Sequence, residues 1–445
     1  MRTKIVIIGA GKSSGALIKY LGSRTQELNI QLHVADINIE LARQKINGFE
    51  NCEAIALDIS NQKDVEQLIQ SSFALISMLP AHMHFQIARL CIKHNIHLLT
   101  ASYLSSEMKA LSKEADEKGL LFLNEMGLDP GIDHMSAMHL IDGLKSKGAK
   151  ITSFQSFTGG LISEEDCDNP WKYKFTWNPR NVILAGQSTA TYLHDGKVKY
   201  VPYQHLFKQI KSFSIHGAGA MEGYMNRDSL SYIPVYGLDH IKTMIRGTLR
   251  YEGFCKAWNV FVYLGLTDNV TVFETQNKMT YRQWLDAFTP EGKGSLEDRL
   301  YSFCKIEDDP ACQEKIKSTG VFEENSIPFE KATSAEILQS LLEPRWKLQS
   351  DDRDLIVMLH QFEYHIGDKK YQTSSSLVIK GENAEDTAMA KTVGLPLAIA
   401  CKLLIKGELK HSRGVCIPVT REIYVPVLNE LEEIGISFSE LTDER

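Results

Sequence analysis

The sequence predicts an α/β protein, with a doubly wound parallel sheet followed by a mixed α/β domain that carries a helical insertion. Three observations lead to this fold class. Short apolar runs alternate with helical periodicity over the first ~120 residues. A glycine-rich turn joins the first run to the first helix. From Ile151 onward, aromatic-rich stretches and alternating strands replace that regular pattern.

The first half has the order expected of parallel strands and covering helices. The opening run "KIVIIG" is rich in β-branched residues, and it is followed by "LHVAD", "CEAIALD", "FALISML", "HLLTAS" and "LLFLNEM". Segments of helical spacing separate these runs, as in "HFQIARLCIKHN". Short apolar strands that alternate with helices form parallel sheets covered on both faces. We therefore expect a doubly wound domain.

The pattern further along the chain predicts how the domains are divided. We expect residues 1–126 and about 386–445 to form the first domain, and 127–238 with about 346–385 to form the second. Residues from about 239 to 345 look helical and are predicted to be an insertion. The last segment contains two helix candidates and the short strand "ISFSE", which we expect to return to the edge of the first sheet.

Composition excludes several classes of function. The net charge of −7 disfavours a general binder of nucleic acid or of acidic membranes. Eight cysteines without a C-x-x-C pair indicate neither a disulfide framework nor a metal site. No run approaches the roughly 18 apolar residues of a membrane span. The first strand begins at Lys4, which leaves no room for a signal peptide, so we expect a cytoplasmic protein.

The stretch "GAGKSSG" predicts a dinucleotide site. Its glycines Gly9, Gly11 and Gly15 lie between a strand and a helix, where they permit a tight turn and a close approach of backbone to pyrophosphate. Ser14 stands where the usual motif has its third glycine. Glycines in a turn are often only a turn, but the strand before and the helix after favour the nucleotide. The predicted contacts are Gly9, Ala10, Gly11, Lys12 and Ser13.

Asp36 ends the second strand, about 20 residues beyond the glycine loop. A carboxylate there accepts hydrogen bonds from the adenosine ribose hydroxyls and repels a 2′-phosphate. We therefore expect NAD to be favoured, with NADP possible. The alternative is that Asp36 only begins a turn and caps the next helix. Asp58, Ile59 and Leu79 follow the next strands, where the rest of the cofactor would run.

Polar groups are concentrated in three further segments: "TASYLSSE", "NEMGLDPGIDHM", and "EGYMNRDS" with "IRGTLRYEGF". The first two follow strands of the predicted sheet, at the edge where ligands bind in open α/β folds. Asp129 is either a site residue or the N-cap of a helix with Pro130 at its first position. Arg227 and Arg250 suit carboxylate recognition, although Asp228 and Glu252 could instead pair with them.

These segments resemble a known family, the glutamate-forming saccharopine dehydrogenases or saccharopine reductases. Matching stretches run in order through the chain and include "TASYLSSEMKAL", "NEMGLDPGIDHM", "DNPWKYKFTWNP", "IRGTLRYEGF", "TAMAKTVGLP" and "REIYVPVLNEL". The resemblance implies a Rossmann-like domain, an α/β substrate and dimerisation domain, and a helical insertion. It also implies a homodimer.

The resemblance further implies a reaction and a set of residues. Saccharopine would be oxidised by a nicotinamide dinucleotide to glutamate and 2-aminoadipate 6-semialdehyde, and each step except hydride transfer moves a proton. The implied acid/base residues are Asp129 and Tyr103. The family positions that hold substrate correspond to Ser102, Tyr103, Asp129, Arg227, Thr248, Leu249 and Arg250. Those that contact cofactor correspond to Ala101, Ser102, Leu128, Asp129, Pro130 and Asn178.

One position departs from the family pattern. Members commonly have "SYCGG" where this chain has "SFTGG", so Thr158 replaces a thiol that is often given a proton-transfer role. Threonine can donate a hydrogen bond or orient water but does not ionise usefully near neutral pH. Two rival functions stay open, and Thr158 is the best support for the second of them. One is a related amine-condensing enzyme like carboxynorspermidine dehydrogenase, and the other is a non-catalytic, dinucleotide-binding regulator.

Overall fold

The structure is a computed structural model that describes residues 2–226, 228–275 and 279–445. The chain forms two compact units. The first unit contains residues 1–150 and 385–439, and the second contains residues 151–384 and 440–445. The separate helical insertion and the three-part division that we expected stay predictions.

The amino-terminal part of the first unit alternates strands with helices, as the apolar runs predict. Its elements in order are β1 (Thr3–Ile8), α1 (Gly15–Gly22), β2 (Ile30–Asp36), α2 (Ile39–Ile46), β3 (Cys52–Ala56), α3 (Gln62–Ile69), β4 (Ala74–Ser77), α4 (His84–His94), β5 (His97–Thr100), α5 (Ser106–Ala110), α6 (Ser112–Glu117), β6 (Leu121–Leu123) and α7 (Ile132–Ser146). Single turns of 3₁₀ helix at Lys12–Ser14 and Ala81–Met83 precede α1 and α4.

The elements of the second unit begin at the domain boundary. They are β7 (Lys150–Ile162), α8 (Pro179–Ile183), β8 (Ala190–His194), β9 (Lys197–Val201), α9 (Tyr203–Leu206), β10 (Ile210–Ile215), β11 (Gly219–Met225), α10 (Tyr232–Val235), β12 (Thr243–Tyr251), α11 (Phe254–Leu264), β13 (Val272–Glu274), α12 (Tyr281–Phe288), α13 (Leu296–Cys304), α14 (Pro310–Ser318), β14 (Lys331–Thr333), α15 (Ser334–Leu342), β15 (Asp354–Ile366) and β16 (Lys369–Lys380). A 3₁₀ turn at Glu164–Asp166 follows β7.

The chain then returns to the first unit through α16 (Ala388–Ile405), β17 (Gly414–Cys416) and α17 (Arg421–Glu433), and it ends in β18 (Ser439–Glu444). Strand β17 pairs in parallel with β6 and completes a seven-stranded sheet of order β17-β6-β5-β4-β1-β2-β3. The reversal of strand order beside β1 is the switch point at which ligands bind in such sheets. The predicted doubly wound parallel sheet is confirmed.

The predicted return to the first sheet uses a different strand from the one that we expected. The edge strand is β17, whereas the segment "ISFSE" leads into β18, which belongs to the sheet of the second unit. Strand β17 is only three residues long, and an edge strand that short lacks a recognisable alternation. The sequence pattern therefore located the returning chain but not the pairing strand.

Helix α16 is the long core helix of the first unit. By length and composition alone it could cross a membrane, which the sequence reading did not indicate. In the structure 72% of it is buried. Gly394 makes a close approach possible, because a Cβ there would lie 2.9 Å from the Leu17 backbone nitrogen in α1. The apolar character of α16 therefore serves packing within this unit.

The sheet of the second unit is mixed and has nine strands. Its main path is β10-β11-β12-β7-β15-β16-β18, in which β12 runs parallel to β7 and antiparallel to β11. We had assigned residues 239–345 to a helical segment, but strand β12 lies inside that range. Buried rings, among them Trp171, Trp258 and Trp346, belong to the apolar core of this unit.

Candidate active site

The glycine loop between β1 and α1 has the shape that a dinucleotide requires. Gly9 has φ of +105°, and a Cβ there would lie 3.0 Å from the Met78 carbonyl oxygen. A side chain would therefore be strained and would clash with the neighbouring strand. A Cβ on Gly11, in contrast, would meet no atom within 4 Å among the described residues. That open space is where the backbone can approach a pyrophosphate, so the residues present fit the cofactor.

The Asp36 side chain is hydrogen-bonded to the backbone of the glycine loop. Its Oδ2 accepts a hydrogen bond from the Ala10 backbone N–H at 2.7 Å, and its Oδ1 accepts one from the Asn38 N–H at 2.8 Å. The cap of α2 is Asn38, whose side chain accepts from the Glu40 N–H at 3.1 Å. Asp36 thus begins a turn, as the alternative reading held, but does not itself cap the helix. The carboxylate nevertheless lies beside the cofactor loop.

Lys45 on α2 was missed by the sequence analysis. Its ammonium donates hydrogen bonds to the Gly11 carbonyl oxygen and, over 3.0 Å, to Ser14 Oγ. Burial lowers the pKa of Lys45 to about 8, although Asp36 and Glu385 act in the opposite direction. No motif marks Lys45 as a cofactor-site residue. A lysine late in an amphipathic helix usually faces water, so it was not selected.

The remaining predicted cofactor residues of the first unit lie at the carboxyl edge of the sheet. Asp58 follows β3, and its Oδ1 accepts from the Ser60 N–H at 2.9 Å and from the Ser60 hydroxyl at 2.7 Å. Ile59 is next in that turn, and Leu79 follows β4. In a parallel sheet this edge also carries the glycine loop. These side chains therefore share one rim with it.

Tyr103 and Asp129 are brought into direct contact. The Tyr103 hydroxyl donates a hydrogen bond to Asp129 Oδ1 over 2.9 Å, although the two residues are 26 positions apart. Tyr103 follows β5 and Asp129 follows β6, so adjacent strand ends bring them together. Tyr103 is 39% exposed and thus accessible to a ligand. The two groups to which the sequence assigned proton transfer form one pair.

Asp129 does not cap helix α7, so that interpretation was wrong. The helix begins at Ile132 and its N-cap is Gly131. Before it, the chain makes a tight turn in which the Gly127 N–H donates to the Pro130 carbonyl oxygen at 2.9 Å. Pro130 lies within this turn, after a cis peptide bond, rather than at the first helical position. The Asp129 carboxylate is consequently available to Tyr103.

A buried pair connects the two segments that carry Tyr103 and Asp129. Glu125 Oε1 accepts from the Leu104 backbone N–H at 2.8 Å, and Oε2 is hydrogen-bonded to His134 Nε2 at 2.8 Å. Glu125 and His134 are both buried. Asp133, the next residue on α7, accepts from the Gly131 N–H at 2.6 Å through Oδ1. The sequence analysis did not predict this connection.

Ser102, predicted to contact both substrate and cofactor, is hydrogen-bonded to the buried side chain of His84. The imidazole Nε2 lies 2.7 Å from Ser102 Oγ, and Nδ1 lies 2.9 Å from Ser77 Oγ. His84 was not selected from the sequence, because a histidine at the start of an amphipathic helix is usually satisfied locally. Ala101, between β5 and Ser102, lies at the same strand end. Leu128 is buried in the turn before Asp129.

In the second unit, strand β12 presents alternate residues on one face of the sheet. Arg246, Thr248 and Arg250 share that face because side chains alternate along a strand. Thr248 is in register with Thr158 on β7 and with Tyr224 on β11. Leu249 points to the opposite face and is fully buried in the core, so only its backbone could contact a substrate. The register thus brings Thr158, Thr248 and Arg250 to one surface.

Arg250 is a buried cation without an ion-pair partner among the described residues. It is 4% exposed, and its guanidinium carbon lies 5.2–5.8 Å from the ring centres of Tyr173, Tyr224 and Phe254. Its Nη1 donates a hydrogen bond to the Leu249 carbonyl oxygen over 2.9 Å. The Nε atom has no hydrogen-bond partner in the described part of the chain. Neither Asp228 nor Glu252 pairs with it there, contrary to the alternative reading.

The other predicted residues of this unit have different surroundings. The Thr158 hydroxyl is buried and has no hydrogen-bond partner within the described ranges. Asn178 caps α8, since its side chain accepts from the Arg180 N–H at 3.0 Å. Arg227, predicted as a second carboxylate clamp, lies outside the described residues. Its role stays a prediction.

Comparison with known proteins identifies the family. Residues 5–123 match the saccharopine dehydrogenase NADP binding domain, and residues 127–436 match the saccharopine dehydrogenase C-terminal domain. The chain belongs to the saccharopine dehydrogenase family. This family includes saccharopine dehydrogenase [NADP(+), L-glutamate-forming] of Saccharomyces cerevisiae, which is 30% identical over 99% of this chain and 100% of its own length. The resemblance inferred from the motifs is confirmed.

Two further relatives define the extent of the match. The apo saccharopine dehydrogenase (L-Glu forming) structure from S. cerevisiae superposes with a TM-score of 0.88, at 28% identity, over 99% of this chain and 100% of that one. The mitochondrial alpha-aminoadipic semialdehyde synthase of Mus musculus is 33% identical over 98% of this chain but only 48% of its own length. The chain thus spans about half the length of this synthase and 42–48% of its bovine, rat and Arabidopsis counterparts.

The same relatives bear on the cofactor. The match to a dinucleotide-binding domain of this family supports the predicted dinucleotide. The fungal dehydrogenases are named for NADP(+), however, and these names do not support the preference for NAD that we drew from Asp36.

Proposed function

We propose that this saccharopine dehydrogenase family member oxidises saccharopine, with a nicotinamide dinucleotide as hydride acceptor, to glutamate and 2-aminoadipate 6-semialdehyde. The observation that carries the proposal is the hydrogen bond of 2.9 Å between the Tyr103 hydroxyl and Asp129 Oδ1 at the carboxyl edge of a Rossmann-like sheet. Apart from hydride transfer, the reaction consists of proton movements at nitrogen and oxygen. A carboxylate coupled to a phenol is suited to such movements.

The roles of the two groups follow from their chemistry. Asp129 is the base that accepts the proton of the substrate's secondary amine, because a carboxylate accepts and cannot donate until it is protonated. Tyr103 donates a hydrogen bond to that carboxylate and thereby stabilises its charge. When water has added to the imine, the same pair returns a proton to the leaving amine of glutamate. Glu125 and His134 hold the two segments together meanwhile.

Carboxylate recognition is assigned to the second unit. Saccharopine carries three carboxylates, and a guanidinium binds a carboxylate through two parallel hydrogen bonds. Arg250 supports this assignment because it is buried, has an Nε atom without a partner among the described residues, and forms no ion pair there. Thr248, on the same face of β12, and Thr158, in register with Thr248 on β7, add hydroxyl groups. Arg227 is proposed as the second clamp from the family resemblance alone.

The choice between NAD and NADP is a separate proposal. We propose NAD as the preferred cofactor, because the Asp36 carboxylate lies beside the glycine loop and would repel a 2′-phosphate. The names of the fungal relatives point the other way. Lys45 could offset the charge of Asp36 and narrow the difference between the two cofactors. A homodimer is also proposed, from the family alone, and light scattering of the purified protein tests it.

Turnover by the purified protein tests the proposed function. Saccharopine is supplied with NAD or NADP, reduced-nicotinamide absorbance is followed, and glutamate is quantified among the products. We expect turnover with at least one cofactor and its loss in Asp129→Asn. The matched control is Asp64→Asn, an exposed aspartate on α3 of the same unit, which should leave the rate unchanged.

The outcomes separate the rival functions. Dinucleotide binding without turnover of saccharopine would favour the non-catalytic regulator. Turnover only with a polyamine-derived secondary amine would favour an enzyme like carboxynorspermidine dehydrogenase. Either result overturns the proposal.

A further inference from the structure

His84 forms a polar bridge beneath the candidate active site that the proposed reaction does not explain. It begins α4 and is 4% exposed. Its Nδ1 lies 2.9 Å from Ser77 Oγ at the end of β4, and its Nε2 lies 2.7 Å from Ser102 Oγ beyond β5. The imidazole therefore connects a buried hydroxyl of one strand to the rim hydroxyl that is predicted to touch ligand.

The charge of His84 limits how this bridge can be built. Burial, with a smaller contribution from His82, lowers the pKa of His84 to about 4. Near neutral pH the ring is therefore uncharged, and a neutral imidazole has one N–H donor and one acceptor nitrogen. Only two arrangements are open, with the hydrogen on Nδ1 or on Nε2. The neighbours decide between them.

Ser77 favours the hydrogen on Nε2. Its hydroxyl is 1% exposed, and within the described part of the chain His84 is its only hydrogen-bond partner. If Nδ1 carried the hydrogen, Ser77 Oγ would accept it and the serine's own hydrogen would be buried without an acceptor, which is unfavourable. If Nε2 carries it, Ser77 donates to Nδ1 over 2.9 Å and Nε2–H donates to Ser102 Oγ over 2.7 Å, so the buried hydrogen of Ser77 and both ring nitrogens have partners. Only the longer contact, of 3.3 Å to Thr100 Oγ1, then leaves a hydroxyl that accepts without donating.

The Nε2–H arrangement determines the direction of the Ser102 hydroxyl. Ser102 Oγ then accepts from Nε2, and Thr100 Oγ1, 3.3 Å from the same nitrogen, is a weaker second acceptor. Thr100 in turn accepts from the Ser102 backbone N–H at 3.3 Å. The hydroxyl hydrogen of Ser102 consequently has no acceptor among the described residues and can point outward, toward a ligand.

We propose that His84 is a positioning residue, held by Ser77 as the Nε2–H tautomer, which fixes Ser102 as a hydrogen-bond donor to an oxygen of the bound ligand. The proposal rests on the proposed function for the identity of that ligand. A substrate carboxylate and the carboxamide oxygen of the nicotinamide offer the same acceptor chemistry. Binding measurements distinguish these two sources.

The tautomer can be observed without any ligand. In protein labelled with ¹⁵N-histidine, the two ring nitrogens of His84 have distinct shifts, assigned by their loss in His84→Asn or, if that variant does not fold, in His84→Gln. At pH 7 we expect a protonated Nε2 and an unprotonated Nδ1. Ser77→Ala removes the hydroxyl that selects this state, so the Nδ1–H form should become populated. A protonated Nδ1 in the unmodified protein would overturn the proposal.

Kinetics test whether His84 acts through Ser102. Gln places an amide near the Nε2 position and Asn near the Nδ1 position, so His84→Gln should retain function while His84→Asn resembles Ser102→Ala. We expect His84→Asn and Ser102→Ala each to weaken ligand binding about 10-fold, which is the effect of losing one hydrogen bond to a charged or strongly polar acceptor. The double variant should be no weaker than either single variant. Additive losses would contradict the proposal.

His97 provides a matched control. It lies at the opposite end of β5, and its Nδ1 accepts from the Leu121 N–H at 2.9 Å. Burial also lowers the pKa of His97 to about 4. The effect of His97→Asn, if any, should add to that of Ser102→Ala without coupling.

Separate titrations identify the ligand and separate the two proposals. An increase in the dissociation constant of the reduced dinucleotide, measured by fluorescence, assigns the acceptor to the cofactor. An increase in the saccharopine KM alone assigns it to the substrate. If the unmodified protein does not turn over saccharopine, the proposed function fails, whereas the nitrogen shifts of His84 still decide this inference.

Discussion

The hydroxyl of Tyr103 donates a hydrogen bond of 2.9 Å to Asp129 Oδ1 across two adjacent strand ends. Neither strand end alone carries an acid/base couple, so the pair exists only because β5 and β6 are neighbours in the parallel sheet. Single and double variants of Tyr103 and Asp129 can therefore test whether the two side chains act together.

Removing either partner of this pair should slow turnover more than binding. We expect Asp129→Asn to lower kcat by about 10²- to 10⁴-fold, the usual contribution of a positioned acid or base. Tyr103→Phe should lower kcat less, because the carboxylate remains, and the double variant should resemble Asp129→Asn. Steady-state kinetics with saturating cofactor measures this. Tyr263→Phe, at an exposed ring of the second unit, is the control. Full activity of Tyr103→Phe would refute the coupling.

Substitution of Arg250 should weaken the binding of saccharopine and leave the binding of the dinucleotide unchanged. We expect Arg250→Gln to reduce kcat/KM for saccharopine by about 10- to 100-fold, the loss of hydrogen bonds to a charged group. Arg250→Lys should recover little, because an ammonium cannot reproduce a two-point contact with a carboxylate. The control is Arg353→Gln, which breaks an ion pair with Asp166 in the same unit. An unchanged KM for saccharopine would exclude Arg250 as a clamp.

Exchange at the end of β2 should alter the choice of cofactor. Asp36→Ala combined with Asn38→Arg removes the carboxylate and supplies a cation, so the ratio of kcat/KM for NADP over NAD should rise at least about 10-fold. Asp36→Asn alone separates the loss of charge from the loss of the bond to Ala10 N–H. A wild-type protein that already prefers NADP would show that the interpretation of Asp36 was wrong.

Thr158→Cys restores the thiol that the family commonly has at this position. If Tyr103 and Asp129 carry the proton transfers, the exchange should change kcat by no more than about threefold, a difference of less than 1 kcal/mol in the barrier. Thr158→Val retains the shape and removes the hydroxyl, and it serves as the comparison. A gain of tenfold or more in kcat with the thiol would assign proton transfer to residue 158.

His84 and His97, whose pKa values are lowered by burial, predict how stability depends on pH. Burial lowers the pKa of both His84 and His97 to about 4, whereas an unfolded chain titrates near about 6.5. Between these values the unfolded chain binds more protons, so the free energy of unfolding falls as the pH falls. For each of the two residues, the free energy of unfolding should be about 2 kcal/mol lower at pH 5 than at pH 7. In urea titrations, His97→Asn should lose less stability over this interval than the unmodified protein. An equal loss would contradict the assignment.

Motif and periodicity predicted the first sheet well, because parallel strands buried on both faces are continuous apolar runs that need no long-range information. The glycine loop was predicted, and Tyr103 and Asp129 were each predicted to follow a strand at the carboxyl edge of that sheet, whereas the hydrogen bond between them was not predicted. Strand β12 was missed because polar and apolar residues are mixed in "TMIRGTLRY", and its register with β7 depends on partners distant in sequence.

Side-chain networks were the least predictable part. Lys45, Glu125 and His84 each act on a segment that is distant in the sequence, through one or two hydrogen bonds. No local pattern records such contacts, since the same residues would read as surface or cap positions in another fold. The Asp129 turn was misjudged for a related reason: the Asp-Pro sequence also starts helices, and only the path of the chain tells the two apart.

The first unit is assembled from both ends of the chain, because β17 and two helices arrive after the whole second unit. During synthesis, the nucleotide-binding half must therefore wait, with β6 as an unpaired edge, until more than 230 intervening residues have left the ribosome. An exposed edge of this kind invites pairing with another chain. Completion of the first sheet therefore depends on residues that are synthesised only after the whole second unit.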